Sequence, residues 1–215
     1  MCGIAGYLDL GGRAINQAEP YLSDMVKTIH HRGPDEHGMV VKGSVALGMT
    51  RLSIIDLSTG QQPVYNEDKS IFVVFNGEIY NFQNLRDSLL KKGHQFRTNS
   101  DTEVIVHLYE EYGFDCLQHL EGMFAFAIYD SLKERLFIAR DRMGEKPLHW
   151  AIFEDTFLFA SEIKSILVHP HSRKELNVDA LRQYLSLEYV PCPGSLFKGI
   201  NKLLPGHFLV VENGQ

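Results

Sequence analysis

The feature that most constrains the fold is a pair of short runs that are apolar on both faces of an extended chain. Residues 71–75 read Ile-Phe-Val-Val-Phe, and residues 123–129 read Met-Phe-Ala-Phe-Ala-Ile-Tyr. Because successive side chains of a strand point to opposite faces, such strands must be covered on both sides. The chain is therefore predicted to fold in layers, with sheet packed on sheet and helices outside.

Other short segments rich in β-branched and aromatic residues recur along the chain. Two connections, at residues 130–134 and 154–156, are short enough for hairpins. Short connections favour antiparallel sheets over a βαβ series, which needs long crossovers. The predicted strands are residues 4–10, 39–49, 54–57, 71–75, 123–129, 135–139, 148–153, 157–160 and 208–211.

Amphipathic segments between these strands are predicted as helices. Residues 82–92 place their leucines on one face and are followed by Gly93 as the C-cap. The sequence Ser-Asp-Thr-Glu at 100–103 matches a capping box ahead of a helix that ends before Gly113. The remaining predicted helices are residues 20–31, 161–168 and 178–189.

Length, composition and charge exclude several classes of protein. The 215 residues are 44% hydrophobic and 22% charged, the balance of a globular protein. A net charge of −6 argues against an extended surface for nucleic acid or an anionic membrane. No apolar run approaches the ~18 residues of a membrane span, and the N-terminus lacks the basic segment of a secretion signal. We expect a soluble, cytoplasmic protein.

The cysteines and histidines do not match a known metal motif. Cys2, Cys116 and Cys192 are too far apart for a CxxC site, and their odd number does not suit a disulfide framework. The ten histidines also lack zinc-finger spacing. The sequence therefore predicts no metal ligands.

Cys2 is distinguished by its position. Removal of Met1, which is expected before a small residue, would leave a cysteine with a thiol and an α-amine close together. An α-amine with a pKa of about 7.7–8.0 suits a general base, and a thiol needs only modest activation to act as a nucleophile. The alternative is a small buried cysteine in the first strand. Position alone favours the buried cysteine.

Ten short motifs follow one another along the chain: Cys2-Gly-Ile-Ala-Gly6, His31-Arg-Gly-Pro-Asp35, Arg51-Leu-Ser-Ile-Ile-Asp56, Gln62-Pro63, Asn76-Gly-Glu-Ile-Tyr-Asn81, Ser100-Asp-Thr-Glu103, Gly122-Met-Phe-Ala-Phe126, Arg140-Asp-Arg-Met-Gly144, Lys146-Pro-Leu148 and Ala160-Ser-Glu162. Together they closely resemble the class II glutamine amidotransferase domain, specifically the glutaminase half of glutamine-hydrolysing asparagine synthetases. The resemblance extends over nearly the whole chain. The Arg-Gly-Pro-Asp sequence at 32–35 points to the asparagine synthetase branch.

The resemblance implies an N-terminal-nucleophile hydrolase fold, an α+β four-layer sandwich of two stacked antiparallel β-sheets flanked by α-helices. It assigns residues 1–190 to the glutaminase domain. Residues 191–215 would be a C-terminal arm leading toward an absent ATP-dependent synthetase domain, whose phosphate loop does not occur in this sequence. No cofactor is expected for the glutaminase domain, and ATP and Mg are expected only for the synthetase domain.

The resemblance also implies a catalytic mechanism. Cys2 would attack the side-chain amide of glutamine, release ammonia and leave a γ-glutamyl thioester for hydrolysis. Asn76 and Gly77 would form the oxyanion hole through the asparagine amide and the glycine N–H. From the residues alone, the alternative is a type I′ hairpin turn, for which Asn-Gly is a strong signal.

Binding roles for the two ends of glutamine follow from the same resemblance. Arg51 would bind the α-carboxylate, and Asp101, with Glu78 nearby, would bind the α-ammonium. The alternatives are a surface salt bridge for Arg51 and a favourable place in the first helical turn for Asp101.

Further residues receive supporting roles or none. Arg32 is expected to shape the cover over the nucleophile. Backbone groups of Leu52, Ile54 and Ile55 would line the same strand edge. Three residues match the family pattern without an assigned role; they are Arg140, Asp141 and Lys146.

Three functions are compatible with this sequence. The leading hypothesis is a glutaminase that supplies ammonia to an asparagine-synthetase-type amidation. The second is the same chemistry feeding amidation of a sugar carboxylate in polysaccharide biosynthesis, and the third is a non-catalytic scaffold or binding module of this fold. The expected partners are L-glutamine and the C-terminal synthetase domain of the same full-length chain, with no nucleic acid or membrane; a homodimer is left open.

Overall fold

Two antiparallel sheets form the centre of the computed structural model, which describes residues 2–14 and 17–214. The strands are β1 (Gly3–Asp9), β2 (Glu36–Lys42), β3 (Val45–Arg51), β4 (Val64–Tyr65), β5 (Ile71–Ile79), β6 (Gly122–Asp130), β7 (Arg135–Arg140), β8 (His149–Phe153), β9 (Thr156–Ala160), β10 (Ile200–Lys202) and β11 (Phe208–Glu212). The first sheet has the strand order β10-β8-β9-β1-β3-β2, and the second has the order β11-β7-β6-β5-β4.

Among the described residues there are six α-helices. They are α1 (Ala18–Thr28), α2 (Phe82–Lys91), α3 (Glu103–Tyr112), α4 (Cys116–His119), α5 (Ile163–Leu167) and α6 (Val178–Leu187). All but the largely exposed α6 cover the outer faces of the two sheets. Buried side chains of α1 and α5 pack on the first sheet. Those of α2, α3 and α4 pack on the second sheet.

Alternate residues of one strand pack into different hydrophobic cores. This is expected for a run that is apolar on both faces. In β5, Phe72 and Val74 belong to the core between the two sheets. Their neighbours Val73 and Phe75 belong to the core between the second sheet and its helices. The order of layers is therefore helices, sheet, sheet, helices, and the predicted α+β four-layer sandwich is confirmed.

The predicted single strand at residues 39–49 is wrong. It is two strands, β2 and β3, which pair with each other across a tight turn. Gly43 has a φ of 60° in that turn, a backbone conformation that glycine adopts without a steric penalty. The polar sequence Lys-Gly-Ser at 42–44 marks this turn between the two apolar runs.

The predicted strand at residues 54–57 is also wrong, because this segment is a loop. Asp56 has a φ of 52°, outside the extended region. The Nη2 group of Arg51 donates hydrogen bonds to the carbonyl oxygens of Ile55 and Asp56, at 2.9 and 2.6 Å. The Arg51 side chain therefore binds the backbone carbonyl groups that would pair with a neighbouring strand if this segment were extended.

The predicted capping box is not formed either. The carboxylate of Glu103 accepts hydrogen bonds from the N–H groups of Arg97 and Thr98, at 2.8 and 2.7 Å. The Ser100 hydroxyl instead accepts from the N–H of Thr102, at 3.1 Å. Glu103 thus stabilises the loop before α3 rather than the first turn of the helix.

Residues 191–214 contribute β10 to the edge of the first sheet and β11 to the edge of the second. The division of the chain at residue 190 stays a prediction. Within the described ranges, no helix combines the length and the apolar character needed to span a membrane.

Candidate active site

A cavity, here called the Cys2 cavity, lies where the segment after β3, the middle of β5 and the start of α3 meet. It brings together every predicted site residue except Arg32. Its lining residues are Cys2, Arg51, Leu52, Ile54, Ile55, Gln62, Phe75, Asn76, Gly77, Glu78, Ser100, Asp101, Thr102, Met123 and Lys146.

Cys2 directly precedes β1, and its thiol faces this cavity as a free cysteine. The Sγ atom lies 3.7 Å from the carbonyl oxygen of Leu52. The predicted removal of Met1 concerns a residue outside the described range.

Arg32 holds the backbone of Cys2 from outside the cavity. Its Nε donates to the carbonyl oxygen of Cys2 at 2.9 Å, and its Nη1 donates to Glu162 at 3.0 Å. Burial would raise the pKa of Glu162, but hydrogen bonds from Arg32, Lys164 and His31 outweigh it and hold that pKa at about 2. The carboxylate therefore stays charged and keeps the guanidinium in place.

Asn76 and Gly77 lie inside β5 and pair with Ala125 and Phe124 of β6. This position excludes the hairpin-turn alternative. A Cβ at Gly77 would lie 2.2 Å from the carbonyl oxygen of Met123, so only glycine fits against the neighbouring strand.

The edge of β5 beside the cavity is open, because β4 pairs only with residues 72 and 73. On this edge the N–H of Phe75 donates to Gln62 at 2.7 Å, and the N–H of Ile79 donates to Asp101 at 2.9 Å. Alternate residues of a strand direct their N–H groups to the same side. The N–H of Gly77 therefore points to this edge as well, and no described residue accepts its hydrogen bond.

The side-chain amide of Asn76 is a second unpaired donor. Asn76 is 1% exposed, and its Nδ2 has no hydrogen-bond partner among the described residues. Leaving a buried donor unpaired costs about 1–3 kcal/mol. A ligand oxygen in the cavity would recover that free energy.

Arg51 is 4% exposed and lies at the end of β3, so its ion pair with the half-buried Glu36 is partly buried and is not a surface salt bridge. Its Nη1 lies 2.8 Å from Glu36, and its Nη2 binds the two loop carbonyls described above. Glu36 is on β2, opposite Arg51 in the register. These contacts fix the guanidinium at the cavity wall while its Nε–H and second Nη1–H make no hydrogen bond with the described residues.

Asp101 presents a buried carboxylate to the same cavity. Burial raises its pKa above the ordinary value, and the negative charge of Glu78 adds to this effect, while hydrogen bonds from Ile79 and Ser100 oppose it. Asp101 precedes α3 by two residues, so the helix-dipole alternative and a ligand role are both compatible with its position. A cation bound beside it would stabilise the charged form.

Six cavity residues received no role from the sequence: Gln62, Phe75, Ser100, Thr102, Met123 and Lys146. The turn that positions Lys146 is organised by Asp141, whose carboxylate accepts from the N–H groups of Glu145 and Lys146 at 2.9 and 3.0 Å. Arg140 donates to the carbonyl oxygens of Gly144 and Lys146. The matched motif at 140–148 therefore contributes Lys146 to the cavity lining.

The cavity combines a free thiol, two amide donors without acceptors, a fixed guanidinium and a buried carboxylate. Such a set can attack a carbonyl, stabilise the resulting oxyanion and hold a zwitterion.

Comparisons with known proteins give the same family. The glutamine-hydrolyzing asparagine synthetase 3 of Bacillus subtilis (strain 168) is 39% identical over 213 residues, covering 97% of this chain and 34% of that protein. Asparagine synthetase 2 of the same organism is 42% identical over 218 residues. This match covers 99% of this chain and 29% of that protein. The chain thus spans about a third of the length of these relatives.

Solved structures agree on the fold. The allosteric regulatory enzyme of purine biosynthesis has a TM-score of 0.71 over 98% of this chain and 47% of its own, at 21% identity. A second structure is the glutamine phosphoribosylpyrophosphate amidotransferase from B. subtilis, complexed with ADP and GMP. It has a TM-score of 0.63 and 24% identity, and the match covers 78% of this chain and 43% of that chain. A family model described as a glutamine amidotransferase domain matches residues 1–215. This chain belongs to that family, and the resemblance carried by its ten motifs is confirmed.

Proposed function

We propose that this chain hydrolyses the side-chain amide of glutamine, with Cys2 as the nucleophile, and that the ammonia serves an amidation reaction. One observation carries the proposal: the Cys2 thiol shares a cavity with two amide donors, Asn76 Nδ2 and Gly77 N–H, that have no acceptor among the described residues. Attack of a thiolate on a carboxamide creates an oxyanion that would accept from both. Donors already in place need no reorganisation during the reaction.

The reaction has two steps. The Cys2 sulfur forms a bond to the amide carbon, the carbonyl electron pair moves to oxygen, and the tetrahedral intermediate expels ammonia after the nitrogen gains a proton. Water then attacks the γ-glutamyl thioester and yields glutamate and the free thiol. The base proposed for both proton transfers is the α-amine of Cys2, which requires removal of Met1.

The two ends of glutamine are matched by opposite charges. Arg51 would bind the α-carboxylate through its remaining N–H groups, and Asp101 with Glu78 would bind the α-ammonium. The aliphatic stem would lie against the loop of Leu52, Ile54 and Ile55, which lines the cavity between the charged groups. The raised pKa of Asp101 supports its role, because a bound ammonium relieves the cost of a buried carboxylate.

We propose aspartate as the ammonia acceptor, in an asparagine-synthetase reaction on a C-terminal domain of the same full-length chain. The support is the names of the relatives, which are glutamine-hydrolyzing asparagine synthetases. ATP and Mg would be needed only there. Amidation of a sugar carboxylate uses the same glutaminase chemistry, so the acceptor is tested on the full-length chain. The third hypothesis, a scaffold without catalysis, is disfavoured by the free thiol in the cavity.

A pair of cysteine variants tests the hydrolysis. Cys2→Ala should lower glutamate release from glutamine by about 10³-fold or more, because the covalent route needs the thiol. Cys192→Ala is the matched control, since Cys192 is exposed and does not line the Cys2 cavity. Intact mass should show the loss of one methionine in active protein. Full hydrolysis by Cys2→Ala, or by a sample that retains Met1, would contradict the mechanism.

The full-length chain tests the acceptor. With Cys2→Ala, added ammonia should still support ATP-dependent formation of asparagine from aspartate, because the thiol acts only in ammonia release. Failure with aspartate but amidation of a sugar carboxylate would select the second hypothesis without affecting the glutaminase proposal.

A further inference from the structure

A second cluster of polar side chains lies outside the Cys2 cavity, on the helix side of the second sheet. This histidine–glutamate cluster consists of Glu67, His94, His107 and Glu110. Glu67 follows β4, His94 follows α2, and the other two lie on α3. One ligand atom from each of the four residues can be chosen so that all four lie within 4.8 Å of one another.

The shortest spacings in the cluster are near those around a single tetrahedral ion, and an ion would draw the four atoms together from their present spread of up to 4.8 Å. Bonds of about 2.0–2.2 Å place tetrahedral ligand atoms about 3.3–3.5 Å apart. The Nδ1 of His107 lies 3.2 Å from Glu110 and 3.5 Å from Glu67. The Nδ1 of His94 lies 3.2 Å from Glu67 and 3.8 Å from Glu110. His94 faces Oε1 of Glu67 and His107 faces Oε2. Both imidazoles therefore direct the same nitrogen toward the same pair of carboxylates.

In each imidazole, the nitrogen that points away from the cluster faces another carboxylate. His94 Nε2 lies 3.2 Å from Glu111, and His107 Nε2 lies 3.8 Å from Glu103. Histidines that bind a metal usually donate their other N–H to a carboxylate, which fixes the tautomer and the ring orientation. His94 shows this arrangement at hydrogen-bond distance, whereas the 3.8 Å from His107 Nε2 to Glu103 is too long for a hydrogen bond.

His107 is the more deeply buried imidazole of the cluster, and its second nitrogen points out of the cluster toward Glu103. Its side chain is fully buried, and its Nε2 has no hydrogen-bond partner among the described residues. In a neutral ring that donates from Nδ1, the bare Nε2 would face the negative carboxylate of Glu103. A metal on Nδ1 reverses this tautomer and directs an N–H toward Glu103.

The other groups around the cluster favour a cation and orient its carboxylates. Glu110 also accepts from Asn66 Nδ2 at 2.8 Å, and Glu67 accepts from the N–H of Gln95 at 3.0 Å. Lys92 pairs with Glu111 at 2.5 Å on the outside. The carboxylates at 67, 103, 110 and 111 carry more negative charge than this lysine balances.

We propose that Glu67, His94, His107 and Glu110 bind one zinc ion. Two imidazole nitrogens and two carboxylate oxygens form a donor set suited to zinc, and four protein ligands leave no open position for catalysis. The site is therefore structural. It joins the turn after β4, the loop after α2 and helix α3 on the outer face of the second sheet.

The test is zinc titration of the chelator-stripped 215-residue chain, with Co²⁺ as a spectroscopic probe. The wild-type chain should bind one zinc per chain at this site, and Co²⁺ should give an intense tetrahedral d–d spectrum without a thiolate charge-transfer band. His94→Gln and Glu67→Gln should each weaken zinc binding by at least about 100-fold. His119→Gln is the matched control, since His119 is an exposed histidine outside the cluster and should change nothing.

Circular dichroism establishes that each variant is folded, and the loop positions of His94 and Glu67 make these variants milder than changes at buried His107. A wild-type chain that takes up no zinc, a six-coordinate or thiolate-bound Co²⁺ spectrum, or unchanged affinity in His94→Gln would overturn the proposal. The cluster would then be a hydrogen-bonded group with His107 protonated.

Discussion

The Cys2 cavity and the histidine–glutamate cluster both adjoin helix α3, yet they have opposite polar imbalances. Within the described part of the chain, the cavity has amide donors without acceptors, namely Asn76 Nδ2 and Gly77 N–H. The cluster has carboxylate acceptors in excess around His94 and His107. Unpaired buried polar groups cost free energy when no ligand is bound. Unpaired donors favour a negatively charged ligand, and excess carboxylates favour a positively charged one.

The difference also separates two kinds of experiment. The oxyanion carries its negative charge only while glutamine reacts. Removing a donor that binds this oxyanion should therefore lower kcat, because the donor stabilises the transition state. A metal ion carries its charge permanently, so it is detected in equilibrium binding. The predictions below test whether the cavity donors behave in the first way.

The largest effect is expected at Asn76. Asn76→Ala removes one oxyanion donor and should lower kcat by about 10²–10³-fold with a smaller change in KM. Steady-state kinetics of glutamate release measure both constants. Asn99→Ala is a control, because Asn99 is exposed and outside the cavity lining. A kcat near wild type in a folded Asn76→Ala protein would show that the unpaired amide is not a catalytic donor.

A smaller effect, on KM rather than kcat, is expected at Asp101. Asp101→Asn keeps an acceptor for the N–H of Ile79 but removes the charge that would bind the α-ammonium. Charged hydrogen bonds contribute about 1.5–3 kcal/mol, so KM should rise about 10- to 100-fold.

The matching change at the other end of the substrate is Arg51→Lys, which should also act mainly on KM. Loss of kcat at constant KM in both variants would mean that these groups position the amide and do not bind the substrate ends.

The smallest effect is expected at His169, a buried imidazole whose Nδ1 accepts from the N–H of His171 at 3.3 Å. Its Nε2 has no described hydrogen-bond partner, and its ring packs against Tyr7, Tyr21 and His171. Burial, with a smaller contribution from the charge of His171, lowers the pKa of His169 to about 4. The unfolded chain binds this proton near pH 6.5, so stability is retained above about pH 6.5 and lost as the pH falls toward 4.

This loss should reach about 1.4 kcal/mol per pH unit in the free energy of unfolding. His169→Leu should flatten that slope in urea titrations, whereas His119→Leu should preserve it. An unchanged slope in His169→Leu would mean that the imidazole is already protonated in the folded chain.

The layered fold could be predicted from the sequence because it depends on burial of both faces of a strand. The runs at 71–75 and 123–129 have no polar face, so only a covered sheet can contain them. The loop at 54–57 could not be predicted in this way, because its conformation depends on the Arg51 guanidinium. Side-chain-to-backbone hydrogen bonds leave no periodic pattern in a sequence.

Residues of the candidate site likewise differ in whether the sequence alone could predict them. Cys2 and Asn76 belong to sequence motifs, whereas Lys146 reaches the cavity through a turn held by Asp141. The histidine–glutamate cluster was not predicted because its members come from three separate segments. Only His107 and Glu110, one helical turn apart on α3, are close in sequence.

The contact between Arg32 and Cys2 has a consequence for how such chains can diverge. Arg32 holds the carbonyl oxygen of residue 2, a group that every amino acid possesses, and does not hold the thiol. The side chain at this position can therefore change while the backbone of residue 2 keeps its place. A descendant that lost the sulfur would keep the other residues that line the Cys2 cavity, so ligand binding and bond cleavage could be inherited separately.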